Sequence, residues 1–526
     1  HPDERNIADA IMNLKCNFAS FKLSIVFFKN CFNPHFFAYG QFTIYLGYVF
    51  AQIIHSLRQS GGSYNFDEAI ISLRLISSLS SVLNAIVLFK TITLLNGSLK
   101  WYPKEQKKNL FSEIVIWLMI IFVPYAIQFS HFGTTESILM LFYSLISYLS
   151  LKIIIQRKIF VIDLMSLGLF CGLSIASKVS SISFLFIPLI SIVVTNISKK
   201  SRFKKLPKIL FDKIRYFALS IPAIFFLFLT TIFITVLFSM QSIINQESFI
   251  GTMRYEIGVG AGSIPVFYTR SFFMSIPIIF QLAKVLPYAL GQFQYLIFII
   301  GFILLSWKKK EYLMLRLFFL VYFIPTSFLY AKWTRFLSPI FPVITLLIII
   351  TLLELFRYAK KINISKILIN TTGIILLTTL LIPGICYISV YLNADVRFSA
   401  SKWIFQNISA GTSILSESAN VIDIPITSPS MNNIGQNYRM LSFFFYDLDQ
   451  FPEYEVDLQK KINEAEYILI PSRRVFYNHT CLEDDYRKSI PLLNGYTLSR
   501  CELLHRMYPK LSQYYQNLTD GRAGFR

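Results

Sequence analysis

Charge is scarce in this chain of 526 residues. Only 15% of the residues are Asp, Glu, Lys or Arg, whereas 54% are hydrophobic and 16% are aromatic. Soluble domains carry about 25% charged residues, so this composition excludes an ordinary soluble protein and indicates a chain that lies mostly in lipid. Lys and Arg number 50 against 29 Asp and Glu. An excess of that kind is also typical of nucleic-acid-binding proteins, but here the basic residues fall in short connections between apolar runs, which excludes a nucleic-acid partner.

Cysteine and histidine are also rare, with six residues of each type. The cysteines form no CxxC pair and show none of the spacings typical of zinc sites. His35, His55 and His131 lie too far apart in the sequence to predict a compact metal site. We therefore predict no required cofactor, with a divalent cation as an optional partner of acidic side chains. Cys481 and Cys501 share one polar segment and are either a disulfide or two isolated thiols.

Long apolar runs dominate the rest of the sequence. Each of them approaches the ~20 residues that a helix needs to cross a bilayer. The predicted spans are residues 68–95, 109–130, 135–154, 160–177, 179–197, 216–239, 286–306, 311–331, 336–356 and 367–392. These runs predict an α-helical polytopic membrane protein with about ten spans.

Lys and Arg are concentrated in alternate connections between these runs. The basic connections contain Lys100, Lys104, Lys107 and Lys108; Lys152, Arg157 and Lys158; the cluster from Lys199 to Arg215; Lys308 to Lys310; and Arg357, Lys360, Lys361 and Lys366. A single orientation places all of these connections in the cytoplasm. The connections 131–135, 240–285 and 332–335, the short turn at Ser177-Lys178, and the segment after about residue 393 are then predicted to be extracytoplasmic.

The stretch 36–58 allows two interpretations. It is long enough to span the membrane, and it is also amphipathic enough to lie at the interface. If it crosses, His1 and the loop at His131 lie on opposite sides. If it lies on the surface, both are outside and one spanning helix precedes His1. The chain begins at His1 without Met, signal peptide or preceding apolar helix, so we expect it to be a piece of a longer protein.

Acidic side chains at two places are candidates for function. Asp3 and Glu4 are adjacent, and neighbouring carboxylates need water, a cation or a reacting hydroxyl to stabilise one of them. The alternative is a hydrated tail. Glu136 lies at the start of a predicted span, where an unpaired ionisable group costs ~2.5–3.5 kcal/mol. Its alternative is a helix N-terminal acid, with Thr134 or Thr135 as the cap.

Cations are scarce in the predicted extracytoplasmic connections. Lys178, Lys332 and Arg335 are therefore candidates for binding an anion. Their alternative is snorkelling, which is common for Lys and Arg at helix ends. Arg74 lies early in its predicted span, and as a lone cation there it must find a partner.

The composition changes after about residue 393, where charged and polar residues become more frequent. The remaining roughly 130 residues are enough for a domain with its own core. Helix and strand patterns alternate in this segment, which predicts a small α/β domain. Ser472-Arg473-Arg474 follows a predicted strand, where α/β sheets commonly bind ligands, and is alternatively a solvated turn.

Six short segments carry a resemblance. They are His1 to Glu4, Asn33 to Gly40, Ser130 to Glu136, Ala176 to Lys178, Arg335 to Pro342, and Arg397 to Ile404. In this order and on the predicted side of the membrane, they resemble the glycosyltransferase-C superfamily. The similar branch is the polyprenyl-phosphate-dependent one, which includes protein O-mannosyltransferases and the aminoarabinose transferase of lipid A.

The resemblance implies an inverting transferase whose donor is an undecaprenyl- or dolichyl-phosphate sugar. It also implies that 36–58 is a juxtamembrane segment and that the first spanning helix is missing. Asp3 and Glu4 are predicted to be catalytic, with Asp3 as the general base and Glu4 orienting the acceptor or a basic partner. Substrate binding is predicted for His131, Glu136, Lys178, Lys332, Arg335, Arg74 and Glu256. Position 136 is Glu where many relatives have Asp, which extends the carboxylate and counts against a direct catalytic role.

The predicted extracytoplasmic loop contains the run Gly258-Val259-Gly260-Ala261-Gly262. Without a strand–turn–helix setting this run is not a nucleotide motif, and it predicts a flexible loop that closes over substrates. Glu256 and Arg270 either form an ion pair that holds this loop or contact a sugar.

These observations predict an architecture and a function. The predicted parts are a first external loop (1–67), a catalytic transmembrane module (68–239), an external active-site loop (240–285), C-terminal transmembrane helices (286–392) and an extracytoplasmic α/β domain (393–526). The predicted function is transfer of a sugar from a polyprenyl-phosphate donor to a protein, lipid or glycan acceptor outside the cell membrane. The alternative is a transporter or flippase of lipid-linked sugars, which would more often show inverted repeats.

Overall fold

The computed structural model describes residues 2–14, 31–58, 64–99, 101, 110–198, 209–264, 266–417, 438–443, 445, 448–470, 476, 479–480 and 502–525. Most of the basic cluster at 199–215, the loop lysines from Lys100 to Lys108, Arg473, Arg474, Cys481 and Cys501 lie outside the described side chains. The chain forms two compact units. The first consists of Asp3–Ile257 and Pro277–Ile388, and the second of Gly258–Ile276 and Ser389–Arg526.

The first unit is built from helices. In chain order they are α1 (Pro2–Met12), α2 (Gln41–Arg58), α3 (Phe66–Leu99), α4 (Leu110–Ile121), α5 (Pro124–His131), α6 (Glu136–Gln156), α7 (Val161–Ser177), α8 (Phe186–Ser198), α9 (Ile209–Phe238), α10 (Met240–Ile244), α11 (Gln246–Ala261), α12 (Leu286–Leu290), α13 (Gln292–Leu304), α14 (Lys310–Ser327), α15 (Thr334–Leu337), α16 (Phe341–Lys361) and α17 (Lys366–Leu392). Helices α11 and α17 continue into the second unit.

Within the described residues, six helical segments are long and apolar enough to cross a membrane, or up to eight if each of two bent pairs is one span. The six are Phe66–Leu99, Glu136–Gln156, Val179–Ile197, Ser220–Phe238, Thr334–Lys361 and Ile367–Asn407. The structure therefore describes a multi-pass membrane protein. The sequence predicted ten spans, which is more than the described helices of sufficient length and apolar composition. The predicted span 160–177, for example, corresponds to α7, which has only 17 residues.

Two of the predicted spans are broken. In place of the predicted span 109–130, the described residues form α4 (Leu110–Ile121) and α5 (Pro124–His131), which meet at an angle of 57°. Pro124 begins α5, and a proline in the interior of a continuous helix would remove a backbone donor and clash with the preceding turn. Residues 286–306 fall in a second pair, Gln281–Leu290 and Gln292–Leu304, which bend by 119° at Gly291. The apolar composition was visible in the sequence, but the direction of the chain was not.

Helix α16 lies at the centre of the first unit, since every side chain from Phe341 to Leu352 is buried. Around it, buried side chains of α3, α6, α8, α13 and α14 form one continuous hydrophobic core. Polar contacts join α3 to α6, because Ser144 donates to Asn84 at 2.6 Å. Inside a bilayer, close packing and such interhelical hydrogen bonds hold helices together. This core fixes the helix ends that carry the site.

The second unit contains a parallel sheet of three strands, β1 (Ser413–Glu417), β2 (Arg439–Phe443) and β3 (Tyr467–Leu469), in the order β2-β1-β3. Its helices include α18 (Val396–Asn407), α19 (Pro452–Glu464) and α20 (Pro509–Thr519). Central strand β1 is buried along its whole length, and Leu415 packs with Phe445 and Leu511 in the core of this unit.

Glu417 ends β1 with only 3% of its surface exposed. It accepts a hydrogen bond from the Tyr515 hydroxyl at 2.6 Å. Burial raises the pKa of Glu417 from 4.5 to about 7, although the bond from Tyr515 acts in the opposite direction. The folded state therefore holds the proton more tightly than the unfolded state. Its contribution to stability is fully present below pH 4.5 and is lost as the pH rises through about 7.

We expect Glu417→Gln to remove this pH dependence. In hydrogen-exchange mass spectrometry on the whole protein, β1 of the wild type should lose protection relative to the variant as the pH rises from about 4.5 to 7. Glu453→Gln, at an exposed position of α19, is the control and should follow the wild type. If β1 of wild type and Glu417→Gln lost protection in parallel, Glu417 would not carry the effect.

Candidate functional site

The acid pair of the N-terminus forms the first turn of α1. Carboxylates are favoured there because the helix dipole leaves partial positive charge at its N-terminus. Asp3 forms an ion pair with the Nη1 atom of Arg335, in the short α15. The exposed fractions of the two side chains are 19% for Asp3 and 25% for Arg335. A small molecule can therefore reach this pair.

Glu4 is held differently from Asp3. Only 2% of its side chain is exposed, and its two oxygens accept from Arg74 Nε at 2.6 Å and Nη2 at 3.3 Å. The backbone N–H of Gly133 donates to the same carboxylate at 3.2 Å. A buried carboxylate needs such donors, because leaving one unpaired costs several kcal/mol. The Cβ of any other residue at position 133 would lie 2.7 Å from Glu4 Oε1. Glu4 and Arg74 thus position α1 against α3.

Glu136 begins α6 and is also buried, with 2% of its side chain exposed. Its Oε1 lies 3.4 Å from Nζ of Lys178, which directly follows α7. The ammonium of Lys178 also lies 5.5 Å from the ring centroids of Tyr39 and Phe336. Aromatic faces at this distance attract a cation. Lys178 therefore faces a partly apolar, partly acidic surrounding at the end of the helix bundle.

Tyr39 connects these pairs. Its hydroxyl accepts a hydrogen bond from Arg335 Nη1 at 3.3 Å, while its ring lies under Lys178. Burial raises the pKa of Tyr39 well above its ordinary value, and the carboxylates of Glu136 and Glu256 raise it further. The phenol therefore stays neutral and keeps its proton. The sequence placed Tyr39 in a matching segment but did not single it out as a site residue.

Together these contacts give three ion pairs, which we call the carboxylate–cation cluster. It consists of Asp3, Glu4, Arg74, Glu136, Lys178 and Arg335. Six of the nine residues predicted from the sequence are therefore brought together, from segments that lie far apart in the chain. All six lie in the first unit.

Close backbone packing holds the segment that carries Tyr39. The N–H of Gly40 donates to the carbonyl of Ser177 at 2.9 Å. A Cβ atom at position 40 would lie 2.0 Å from the carbonyl oxygen of Ala176, which a real side chain cannot do. Glycine is thus required for this approach, and it brings Tyr39 beside Lys178.

The other predicted residues lie outside the carboxylate–cation cluster. Lys332 is buried and donates to the carbonyls of Leu329 at 2.8 Å and Tyr330 at 3.2 Å. Burial lowers the pKa of Lys332. His131 donates from Nδ1 to the carbonyl of Ile127 at 2.7 Å, because a carbonyl can only accept. These contacts give both side chains a local structural role, and substrate binding by them stays a prediction.

Glu256 lies on α11 and borders a cavity of about 730 Å³. The other residues around this cavity are Asn33, His35, Phe36, Phe37, Ala38, Asn245, Ser248 and Thr252. Partial burial raises the pKa of Glu256, while the charge of Lys178 acts in the opposite direction. Glu256 therefore lies within electrostatic reach of the carboxylate–cation cluster.

Metal-ligating groups are not clustered in the part of the chain that the structure describes: no three His, Cys, Asp or Glu side chains there could hold one ion. The cations of the carboxylate–cation cluster are the side chains of Arg74, Lys178 and Arg335. Within the carboxylate–cation cluster, Lys178 and Arg335 contact aromatic rings as well as carboxylates. Arg335 lies 4.9 Å from the ring of Trp333.

No protein-family model matches the chain, and no curated protein matches it. Two solved structures align with most of its length. One is ArnT from Cupriavidus metallidurans bound to undecaprenyl phosphate, with 12% identity, a TM-score of 0.46, and coverage of 89% of this chain and 85% of that chain. The other is the same protein in the apo state, with 14% identity, a TM-score of 0.44, and coverage of 81% and 79%.

Proposed function

We propose that this protein is a membrane glycosyltransferase that transfers a sugar from a polyprenyl-phosphate donor to an acceptor hydroxyl. The observation that carries the proposal is the carboxylate–cation cluster. It sets two cations suited to a phosphate beside an accessible carboxylate suited to a hydroxyl proton. Both groups are needed, because the leaving group is an anion and the attacking hydroxyl must lose a proton.

The phosphate is assigned to Arg335 and Lys178. Arg335 offers a planar fork that can bind two phosphate oxygens, whereas Lys178 provides a compact charge. Both cations border aromatic rings, with Phe336 near each of them. A phosphate in partly apolar surroundings interacts more strongly with cations than it would in water. The same rings offer an apolar path for the first isoprene units of the lipid.

Asp3 is assigned the role of general base. The ion pair with Arg335 stabilises the charged carboxylate of Asp3 and weakens it as a base. A bound phosphate competes for Arg335 and releases Asp3. The acceptor oxygen then attacks the anomeric carbon, its proton passes to Asp3, and the bond from that carbon to the phosphate oxygen breaks. The electron pair of this bond stays on the phosphate, where Arg335 and Lys178 stabilise it.

The site is assigned to the outer side of the membrane. Helix α6 begins at Glu136 in the carboxylate–cation cluster and ends at Gln156, just before Arg157 and Lys158. Basic connections of this kind lie in the cytoplasm by the positive-inside rule. The opposite end of the same helix, with the cluster, then faces the exterior.

The test is sugar release from radiolabelled polyprenyl-phosphate hexose by the purified protein in liposomes. We expect wild type to release or transfer sugar and Asp3→Asn to lose at least about 10²-fold in rate while it still binds the donor, as for a lost general base. Asp9→Asn, at an exposed position of α1, is the matched control. Equal rates for Asp3→Asn and wild type would show that Asp3 is not the general base. No turnover with movement of donor across the bilayer would favour a carrier.

A further inference from the structure

The cavity beside Glu256 has a polar wall made by a single helix face. Ser248, Thr252 and Glu256 are spaced four residues apart on α11, so they project from the same side of the helix. Asn245 precedes the helix and lines the same cavity. The Thr252 hydroxyl donates to the carbonyl of Ser248 at 2.9 Å, which leaves its oxygen able to accept from a ligand.

Aromatic side chains also line the cavity. Phe36 and Phe37 belong to the segment before α2, and the ring of Phe37 contacts Phe249 of α11 edge to face at 6.4 Å. Phe36 lies 6.0 Å from the ring of Tyr39, which touches Lys178. The aromatic wall therefore runs from the cavity toward the carboxylate–cation cluster.

Hydrogen bonds hold the two walls in place. Gln41 donates to Ser242 at 3.0 Å and accepts from the backbone N–H of Gln241 at 3.2 Å. Asn245 in turn donates to Gln241 Oε1 at 2.7 Å. Gln41 and Gln241 are each 1% exposed. These amides join the start of α2 to α10 and so hold together the segments that carry the two walls.

The chemistry of the lining selects one kind of ligand. Hydroxyl, amide and carboxylate groups bind the hydroxyls of a sugar, and aromatic faces pack against its apolar C–H face. None of the described residues that line the cavity is Lys or Arg, so a second phosphate would find no countercharge there. The volume of about 730 Å³ lies within the ~300–1,000 Å³ typical of small-molecule sites.

We propose that this cavity binds an uncharged, hydroxyl-rich saccharide ring, and that Ser248, Thr252 and Glu256 determine its specificity. The assignment of this ring to a substrate rests on the proposed function, because Phe36 of the cavity lies 6.0 Å from the ring of Tyr39, and Tyr39 contacts Lys178 of the carboxylate–cation cluster. A sugar bonded to a phosphate at that cluster lies next to the cavity. A glycan acceptor would offer the same ring chemistry, and the experiment separates the two sources.

Binding is tested without catalysis, by saturation-transfer NMR on the full-length protein in a detergent that contains no sugar. The probes are methyl hexopyranosides and methyl pentopyranosides. We expect the wild-type protein to transfer saturation to at least one of these glycosides, which shows that the glycoside binds. Thr252→Val and Glu256→Gln should each raise the apparent Kd for that glycoside about threefold to tenfold, as for one lost hydrogen bond. Glu247→Gln, at an exposed position of α11, should leave it unchanged.

Activity measurements on Thr252→Val then show whether the bound ring belongs to the donor or to the acceptor. If Thr252→Val raises KM for the donor when water is the only acceptor, the ring belongs to the donor. If hydrolysis is unchanged and only transfer is impaired, the ring belongs to the acceptor, and both results support the saccharide site. The saccharide site would be contradicted if the wild type transferred saturation to no glycoside, or if Thr252→Val and Glu256→Gln bound glycosides as tightly as the wild type. Glycoside binding without turnover would retain this cavity and contradict only the proposed transferase.

Discussion

Arg335→Met is expected to lower sugar release from a polyprenyl-phosphate donor by about 10²–10³-fold, as when a group that stabilises a developing anion is removed. Arg335 contacts both Asp3, the proposed base, and the Tyr39 hydroxyl, and it is the cation to which we assign the donor phosphate. The loss should fall mainly on kcat, since the negative charge on the phosphate oxygen grows in the transition state.

Arg335→Lys sharpens this prediction. Lysine keeps the charge but cannot make a bidentate contact, so its rate should lie between those of the wild type and Arg335→Met. Arg254→Met, at an exposed position of α11, removes a cation outside the carboxylate–cation cluster and should keep full activity. Steady-state kinetics with a labelled donor measures all four proteins. Equal rates in Arg335→Met and Arg254→Met would contradict the role of Arg335.

Lys178→Met is expected to weaken donor binding by at least about tenfold and also to destabilise the protein. Glu136 is buried with Lys178 as its ion partner, so removal of the ammonium leaves a buried carboxylate with less compensation. Breaking a buried pair costs about 3–5 kcal/mol, and less here because 18% of Lys178 is exposed. Donor binding falls because one of the two cations assigned to the phosphate is lost.

The double variant Lys178→Met with Glu136→Gln separates stability from binding. Removing both charges avoids the uncompensated carboxylate, so thermal stability should recover toward that of the wild type. Donor affinity should stay low, because the cation is still missing. Glu136→Gln alone should keep donor affinity, since it leaves Lys178 charged. Recovery of donor affinity in the double variant would show that Lys178 acts only by holding Glu136.

The sequence predicted the helical membrane class, because its apolar runs and alternating basic connections depend only on local composition. The paths of two spans were not predictable in the same way. Pro124 was a visible signal for the break between α4 and α5, whereas the bend of 119° at Gly291 depends on packing of the surrounding helices. Strand β1 is buried along its whole length because other elements of the second unit cover it, and the pattern of the strand alone does not predict this burial.

The charged members of the site could be selected from the sequence, because an ionisable group at a membrane-spanning segment is expensive unless it has a partner. The pairings could not. Asp3 and Arg335 are separated by most of the chain, and only the fold brings them together. Tyr39 escaped selection because an aromatic residue is unremarkable in such a sequence. The polar face of α11 did leave a signal, since Ser248 and Thr252 precede Glu256 at intervals of four residues.

The most direct measurement is binding of undecaprenyl phosphate to the purified protein by native mass spectrometry, with phosphatidylglycerol as the competing anionic lipid. It tests whether the carboxylate–cation cluster receives a lipid phosphate. Wild type should retain undecaprenyl phosphate in the presence of the competitor. Arg335→Met and the Lys178→Met, Glu136→Gln double variant should each lose at least about tenfold in affinity, since each lacks one charge-assisted contact. Equal retention by wild type and both variants would contradict the account.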